Sequence, residues 1–183
     1  MTIGYIIRGE DSDSFMLPGD HEDPPLCPAC GFIVNSEFHN PFFRLRRKVF
    51  DFSHPYDIGN IVSLRFKEFC LRENYSMIVF KEFERQPGFF QFTISNELKF
   101  DILRANTEFG TKCGACGRYD FTVGFEPTHL QGVEDPLKDG FYKTDVLFGS
   151  ANGKNALTIV GIQTYEKLKR EKMKGMSFDP VFN

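Results

Sequence analysis

Cys27 and Cys30 are separated by two residues and followed by Gly31, and Cys113, Cys116 and Gly117 repeat the arrangement. Two intervening residues let both sulfurs of a pair face one metal ion. Glycine after the second cysteine takes a positive φ without strain, so the backbone can turn beneath the metal and aim N–H groups at the thiolates. Each knuckle, at 27–31 and at 113–117, supplies two ligands, and zinc takes four. Cys27, Cys30, Cys113 and Cys116 therefore predict one structural zinc ion. Redox chemistry, an iron–sulfur cluster and free thiols are the competing uses of such pairs. A catalytic dithiol usually sits at the start of a helix, whose dipole lowers the thiol pKa. Here residues 32–34 and 119–125 read as strands, which favours zinc. Cys70 falls on the apolar stripe of a predicted helix and reads as a buried thiol.

The remaining chemistry-bearing residues form weaker patterns. Gly149 to Asn155 has the look of a phosphate-binding loop, but it is one residue short between its glycines. It also carries Asn155 where a hydroxyl would have to reach magnesium, so a hairpin turn is the better account. His21, His39, His54 and His129 form no metal-binding or catalytic motif, and no nucleophile-elbow sequence occurs. The loop after the first strand carries Glu10, Asp11, Asp13, Asp20, Glu22 and Asp23 with no Lys or Arg. Such a loop reads either as a solvated face or as a docking element for a basic partner, with Asp11, Asp13, Asp20 and Asp23 as its candidates. Arg44, Arg46, Arg47 and Lys48, and Lys167, Lys169, Arg170, Lys172 and Lys174, could touch phosphate, but without interleaved exposed aromatics they read better as solvent faces.

The elements that must position these residues follow from periodicity. Ile3, Tyr5 and Ile7 alternate and predict an opening strand. Residues 42–52 read as a strand with Phe43, Leu45 and Val49 on one face. Asn60 is placed to cap a helix reaching residue 73, with Val62, Phe66, Phe69 and Cys70 as its buried stripe. Strands are predicted at 77–83, 89–94 and 98–103, with Pro87-Gly88 turning between the first two. Tyr119, Phe121, Val123 and Phe125 alternate beyond the second knuckle. Asn152-Gly153 marks a hairpin between 146–148 and 156–160. A last helix is predicted over 162–174, with Ile162, Tyr165 and Leu168 inward and Gly175 as its stop. The fold class is α+β: a mostly antiparallel sheet with two principal helices and a four-cysteine zinc-knuckle site joining distant segments, in a single domain spanning 1–183.

Bulk properties bound the function. The chain has 183 residues, enough for a core without disulfide bridges. With 22 Phe and no Trp, phenylalanine must fill most of that core. A net charge of −3 does not predict nucleic-acid binding. No apolar run is long enough for a membrane span, and the N-terminus reads as no signal peptide, so a cytoplasmic location and reduced thiols are expected. In a small zinc ribbon the two knuckles lie roughly 15–20 residues apart. Here most of a domain separates them, so the metal is expected to staple an N-terminal segment to the far end of the sheet.

With these residues in view, the chain resembles the double-CXXCG-motif proteins, a bacterial family associated with immunity to polymorphic toxins. The resemblance rests on the motifs at 27–31 and 113–117, on Ile61-Val62-Ser63-Leu64-Arg65-Phe66, and on the stretch from Asp139-Gly140-Phe141-Tyr142 to Leu157-Thr158-Ile159-Val160. The ending around Lys174-Gly175-Met176-Ser177-Phe178-Asp179-Pro180-Val181 shares it. Tryptophan, frequent in such proteins, is absent; Phe32 and Phe38 stand as its substitutes. The resemblance implies a non-catalytic protein that binds and neutralises a cognate protein toxin. The alternative is a zinc-stabilised nucleic-acid-binding or regulatory protein.

Overall fold

The computed structural model describes residues 1–17 and 26–183. The chain opens with β1 (Thr2–Asp11), where Ile3, Ile6 and Ile7 are buried. Ile3 and Ile6 pack with Leu130, Ile159 and Val181, while Ile7 packs with Phe52, Phe66 and Phe92. β1 thus has a core on each face, and a register shift between Thr2 and Gly4 reconciles Ile3 with the parity of Ile6.

The predicted strand at 42–52 does not form. Phe43 and Leu45 are buried as expected, but Val49 is 65% exposed. The backbone of this stretch is held irregularly, with Arg46 N–H donating to Ser14 Oγ and Arg47 N–H to the Ser12 carbonyl. Regular pairing resumes only at β2 (Phe52–His54). The helix also begins later than predicted. Residues Asn60–Ser63 form β3, and α1 covers Leu64–Arg72. Asn60 spends its side chain on Thr158 Oγ1, so Ser63 is the cap, accepting from Phe66 N–H at 3.3 Å. Phe66, Phe69 and Cys70 face inward from α1, whereas Val62 is buried from β3.

β4 (Ile78–Phe83) and β5 (Gln86–Ile94) follow as an antiparallel pair. Their turn is Glu84-Arg85, and Pro87-Gly88 lies inside β5 at an irregularity of the ladder rather than at the turn. The strand predicted at 98–103 shrinks to β6 (Glu97–Leu98). Asp101 ends it by accepting the N–H groups of Arg104 and Ala105, which curls the chain away and leaves Leu103 exposed. β7 (Glu108–Phe109) and β8 (Phe121–Val123) flank the second knuckle. β8 has the opposite phase from the predicted one: Thr122 is buried, and Phe121 and Val123 are exposed. Its facing is set by its partners, since Thr122 lies opposite both Gly149 and Phe109.

β9 (Thr128–His129) precedes the long hairpin of β10 (Phe141–Ser150) and β11 (Gly153–Val160). The hairpin turns on Ala151-Asn152, with Ala151 at φ +46° and Gly153 already paired to Ser150. α2 (Ile162–Glu171) ends on Lys172 in the left-handed conformation, three residues before the predicted stop at Gly175. Gly175 serves a close approach instead: a Cβ there would sit 2.4 Å from the Phe52 carbonyl oxygen. Sequence periodicity missed β12 (Met176–Phe182), which lies antiparallel to β1 over most of its length.

The strand order is β4-β5-β3-β2-β1-β11-β10-β8-β7, with β12 against β1 and β9, and β6 against β10. Most pairs are antiparallel; β1 with β2, β6 with β10, and β9 with β12 are parallel. Among the described residues the fold is α+β with a mostly antiparallel, mixed sheet and two helices, as the periodicities predict. The bulkiest fully buried side chains are all phenylalanine: Phe43, Phe52, Phe66, Phe69, Phe83, Phe92 and Phe141. Edge-on rings dominate at the centre, where Phe92 lies 5.4 Å from both Phe66 and Phe141.

Candidate metal centre

The two knuckles are built alike. Each is closed by an antiparallel bridge, Leu26 with Ile33 and Lys112 with Tyr119. In the first, Cys27 N–H donates to the Phe32 carbonyl and Gly31 N–H to the Cys27 carbonyl, both at 2.8 Å. In the second, Cys113 N–H donates to the Arg118 carbonyl at 2.8 Å and Gly117 N–H to the Cys113 carbonyl at 2.9 Å. Gly31 and Gly117 share a φ of +73°, the left-handed turn that a side chain would strain.

The fold then brings the two loops face to face. Cys27 Sγ lies 3.9 Å from Cys113 Sγ, and Cys30 Sγ lies 3.7 Å from Cys116 Sγ. All four sulfurs lie within 4.8 Å of one another. A zinc ion bound tetrahedrally by sulfurs at about 2.3 Å spaces those sulfurs about 3.8 Å apart. The donor set and its spacing therefore fit one four-coordinate metal ion, joining segments distant in sequence. Cys27 is buried and the other three cysteines are half-buried. Cys70 is buried on α1, apart from the cluster, and burial pushes its thiol above the usual range.

Backbone N–H groups favour the thiolate form at one sulfur of each knuckle. Those of Cys116 and Ala115 draw the Cys113 thiol down to about 6, and those of Ala29 and Cys30 lower Cys27 in the same way. Cys30 moves oppositely, up to about 12, because its desolvation outweighs the donor it receives from Phe32. Neither knuckle opens a helix: the described helices are α1 and α2, both remote in sequence from the four knuckle cysteines. The helix-terminus field that activates a redox dithiol is thus not supplied to these thiols.

A second layer of side chains holds the knuckles together. Asn152, at the tip of the β10–β11 hairpin, accepts from Ile33 N–H at 2.8 Å and donates to the Gly31 carbonyl at 3.4 Å. Arg118 of the second knuckle donates to the Val34 carbonyl beside the first at 2.8 Å. Lys154 Nζ donates to the Tyr119 carbonyl, with the Phe32 ring centroid 4.5 Å away. Sequence reading placed Asn152 and Lys154 in a turn and found no further role for them. No local pattern marks them: Asn152 lies in the turn, and β11 buries Ile159 as well as Thr158 and Val160, so alternation does not single out Lys154.

No protein-family model, curated protein or solved structure matches the chain.

The acidic residues lie elsewhere. Asp11 ends β1, and its Oδ1 accepts from Asp13 N–H at 2.7 Å. Asp13 accepts from the Tyr56 hydroxyl at 3.0 Å, and the two carboxylates together hold the Tyr56 phenol up at about 12. Phe15, 64% exposed, stacks obliquely on Tyr56. Asp20 and Asp23 fall outside the described residues. Arg46 and Arg47, with exposed side chains, belong to the segment whose backbone is hydrogen-bonded to Ser14 and Ser12. No described helix is long and apolar enough to cross a membrane.

Proposed function

We propose that this chain is a non-catalytic, zinc-stapled binding protein of the immunity type, which acts in the cytoplasm by occupying and neutralising a cognate bacterial toxin. The observation that carries the zinc part is the cluster of Cys27, Cys30, Cys113 and Cys116. Four protein sulfurs fill a tetrahedral zinc ion's coordination, leaving no position for a substrate or an activated water; such a closed centre is structural. The toxin-binding part rests on the resemblance of the two knuckles and of the 139–181 region to the double-CXXCG proteins.

The reading is tested by co-expressing the tagged chain with the product of the gene directly upstream of its own. A stoichiometric complex and rescue of growth from that product support it. A toxic upstream product that neither binds the chain nor is neutralised by it rejects it. The nucleic-acid reading draws on the exposed Arg44, Arg46, Arg47 and Lys48. Its own test is salt-dependent binding of labelled single-stranded RNA and duplex DNA, which the immunity reading does not require.

A further inference from the structure

Lys154 is the least expected residue near the metal centre. Only 6% of it is exposed, in a position where lysine is rare unless its charge is matched. It forms no ion pair with a carboxylate among the described residues, and the Asp120 carboxylate that favours its charge is offset by Arg118. Its ammonium group has two partners, and each belongs to a different knuckle. The Tyr119 carbonyl lies three residues past Cys116, and the Phe32 ring lies two past Cys30. Both contacts lower the cost of burying a cation, and neither cancels its charge.

A four-thiolate metal centre between the two knuckles would supply a matching charge. Four thiolates around a divalent ion leave two negative charges uncompensated. We propose that Lys154 is the counter-cation of the tetrathiolate centre, fixed between the two knuckles so that its charge sets how tightly the metal is held. This rests on the zinc reading given above. The field at Lys154 is consistent with the pairing. Desolvation draws the ammonium below the usual lysine range, Arg118 adds to that, and Asp120, Cys30 and Cys116 oppose it.

The same placement explains why the β10–β11 hairpin reaches between the loops. Asn152 fixes the first knuckle through backbone hydrogen bonds, and two residues on Lys154 delivers the charge. Outer-layer partners of metal ligands often govern affinity by about 10- to 100-fold when removed. A positioning role of that size belongs to Lys154.

The test is zinc affinity, measured by competition with a chromophoric chelator on chains whose folding is followed by circular dichroism. Lys154→Met keeps an apolar stem of similar length and removes the charge. It should weaken zinc binding by about 10- to 100-fold, and Lys154→Arg should restore most of the loss. A Lys154→Met chain that holds zinc as tightly as the parent overturns the proposal. Where Lys154→Met does not fold, a Cys30→His background decides, because a neutral ligand removes one negative charge from the centre. Charge pairing requires Lys154→Met to do less damage there, in folding or in affinity. Undiminished damage assigns Lys154 to packing against Phe32 and overturns the proposal. A parent chain that binds no zinc at all removes the metal reading instead.

Discussion

Cys30 Sγ and Cys116 Sγ lie 3.7 Å apart although 86 positions separate them in the chain. A metal bridging them closes a loop that contains β2 through β7 and α1. Chain closure of that length removes much of the freedom of the unfolded state, so the centre should act as a stability element for the whole sheet.

Metal content follows first. Protein purified without added metal should carry about one zinc per chain by elemental analysis, and a strong chelator should remove it with loss of the folded signal. A folded protein free of metal, with four readily titrated thiols besides Cys70, would sink the centre.

Ligand removal should be strongly non-additive. Cys27→Ser and Cys113→Ser each break the same tetrahedron, and each should destabilise by about 4 kcal/mol or more. The double variant should be little worse than either single one. Independent effects that sum in a chemical denaturation series would point to two separate sites.

The phenylalanine core concentrates on Phe92, whose ring meets those of Phe52, Phe66, Phe80 and Phe141. Phe92→Ala should cost about 3–5 kcal/mol in urea unfolding, because the surrounding rings cannot collapse fully into the space. Phe121→Ala, on the exposed side of β8, should cost far less.

Histidine protonation should weaken the fold on the acid side. Burial lowers the His54 pKa below its ordinary 6.5, against a 3.5 Å contact from Nδ1 to the Gly59 carbonyl that raises it; His39 shifts in the same direction. The unfolded chain therefore takes up protons first as pH falls through about 6.5, and stability is lost from there downward. His54→Gln should flatten the slope of unfolding free energy against pH in that window relative to the parent. An unchanged slope would remove His54 from the account.

The acidic segment can be tested without disturbing the metal. Asp11→Asn with Asp13→Asn should return the Tyr56 phenol from about 12 toward its ordinary 10.0 in an absorbance titration, with Tyr56→Phe identifying the signal. Adding Asp20→Asn and Asp23→Asn should slow association with the proposed toxin partner at low salt and leave zinc content intact. Equal association rates across the series would place the docking surface elsewhere.

The knuckles were legible in the sequence because everything that defines them lies within five residues: two sulfurs, the spacer, and a glycine that turns the backbone. The hairpin, the phenylalanine core and the inner stripe of α1 were legible for the same reason, since local spacing encodes them, although the turn falls on Ala151-Asn152, one residue before the predicted Asn152-Gly153. The phase of β8 was not. Phe121 and Val123 alternate as a buried face would, yet the Gly149 and Phe109 registers turn Thr122 inward. The start of α1 was displaced because Asn60 is drawn to Thr158 on another strand, which leaves Ser63 to cap. β12 exists as a strand through its pairing with β1 and β9, neither of which is near it in sequence. Lys154 belongs to the same class: a lysine in a strand reads as a solvent residue until the fold buries it between the Tyr119 carbonyl and the Phe32 ring. Which residues can bind metal was written in local sequence. Which residues surround that metal depended on segments that meet only in three dimensions, where registers and buried charge are decided.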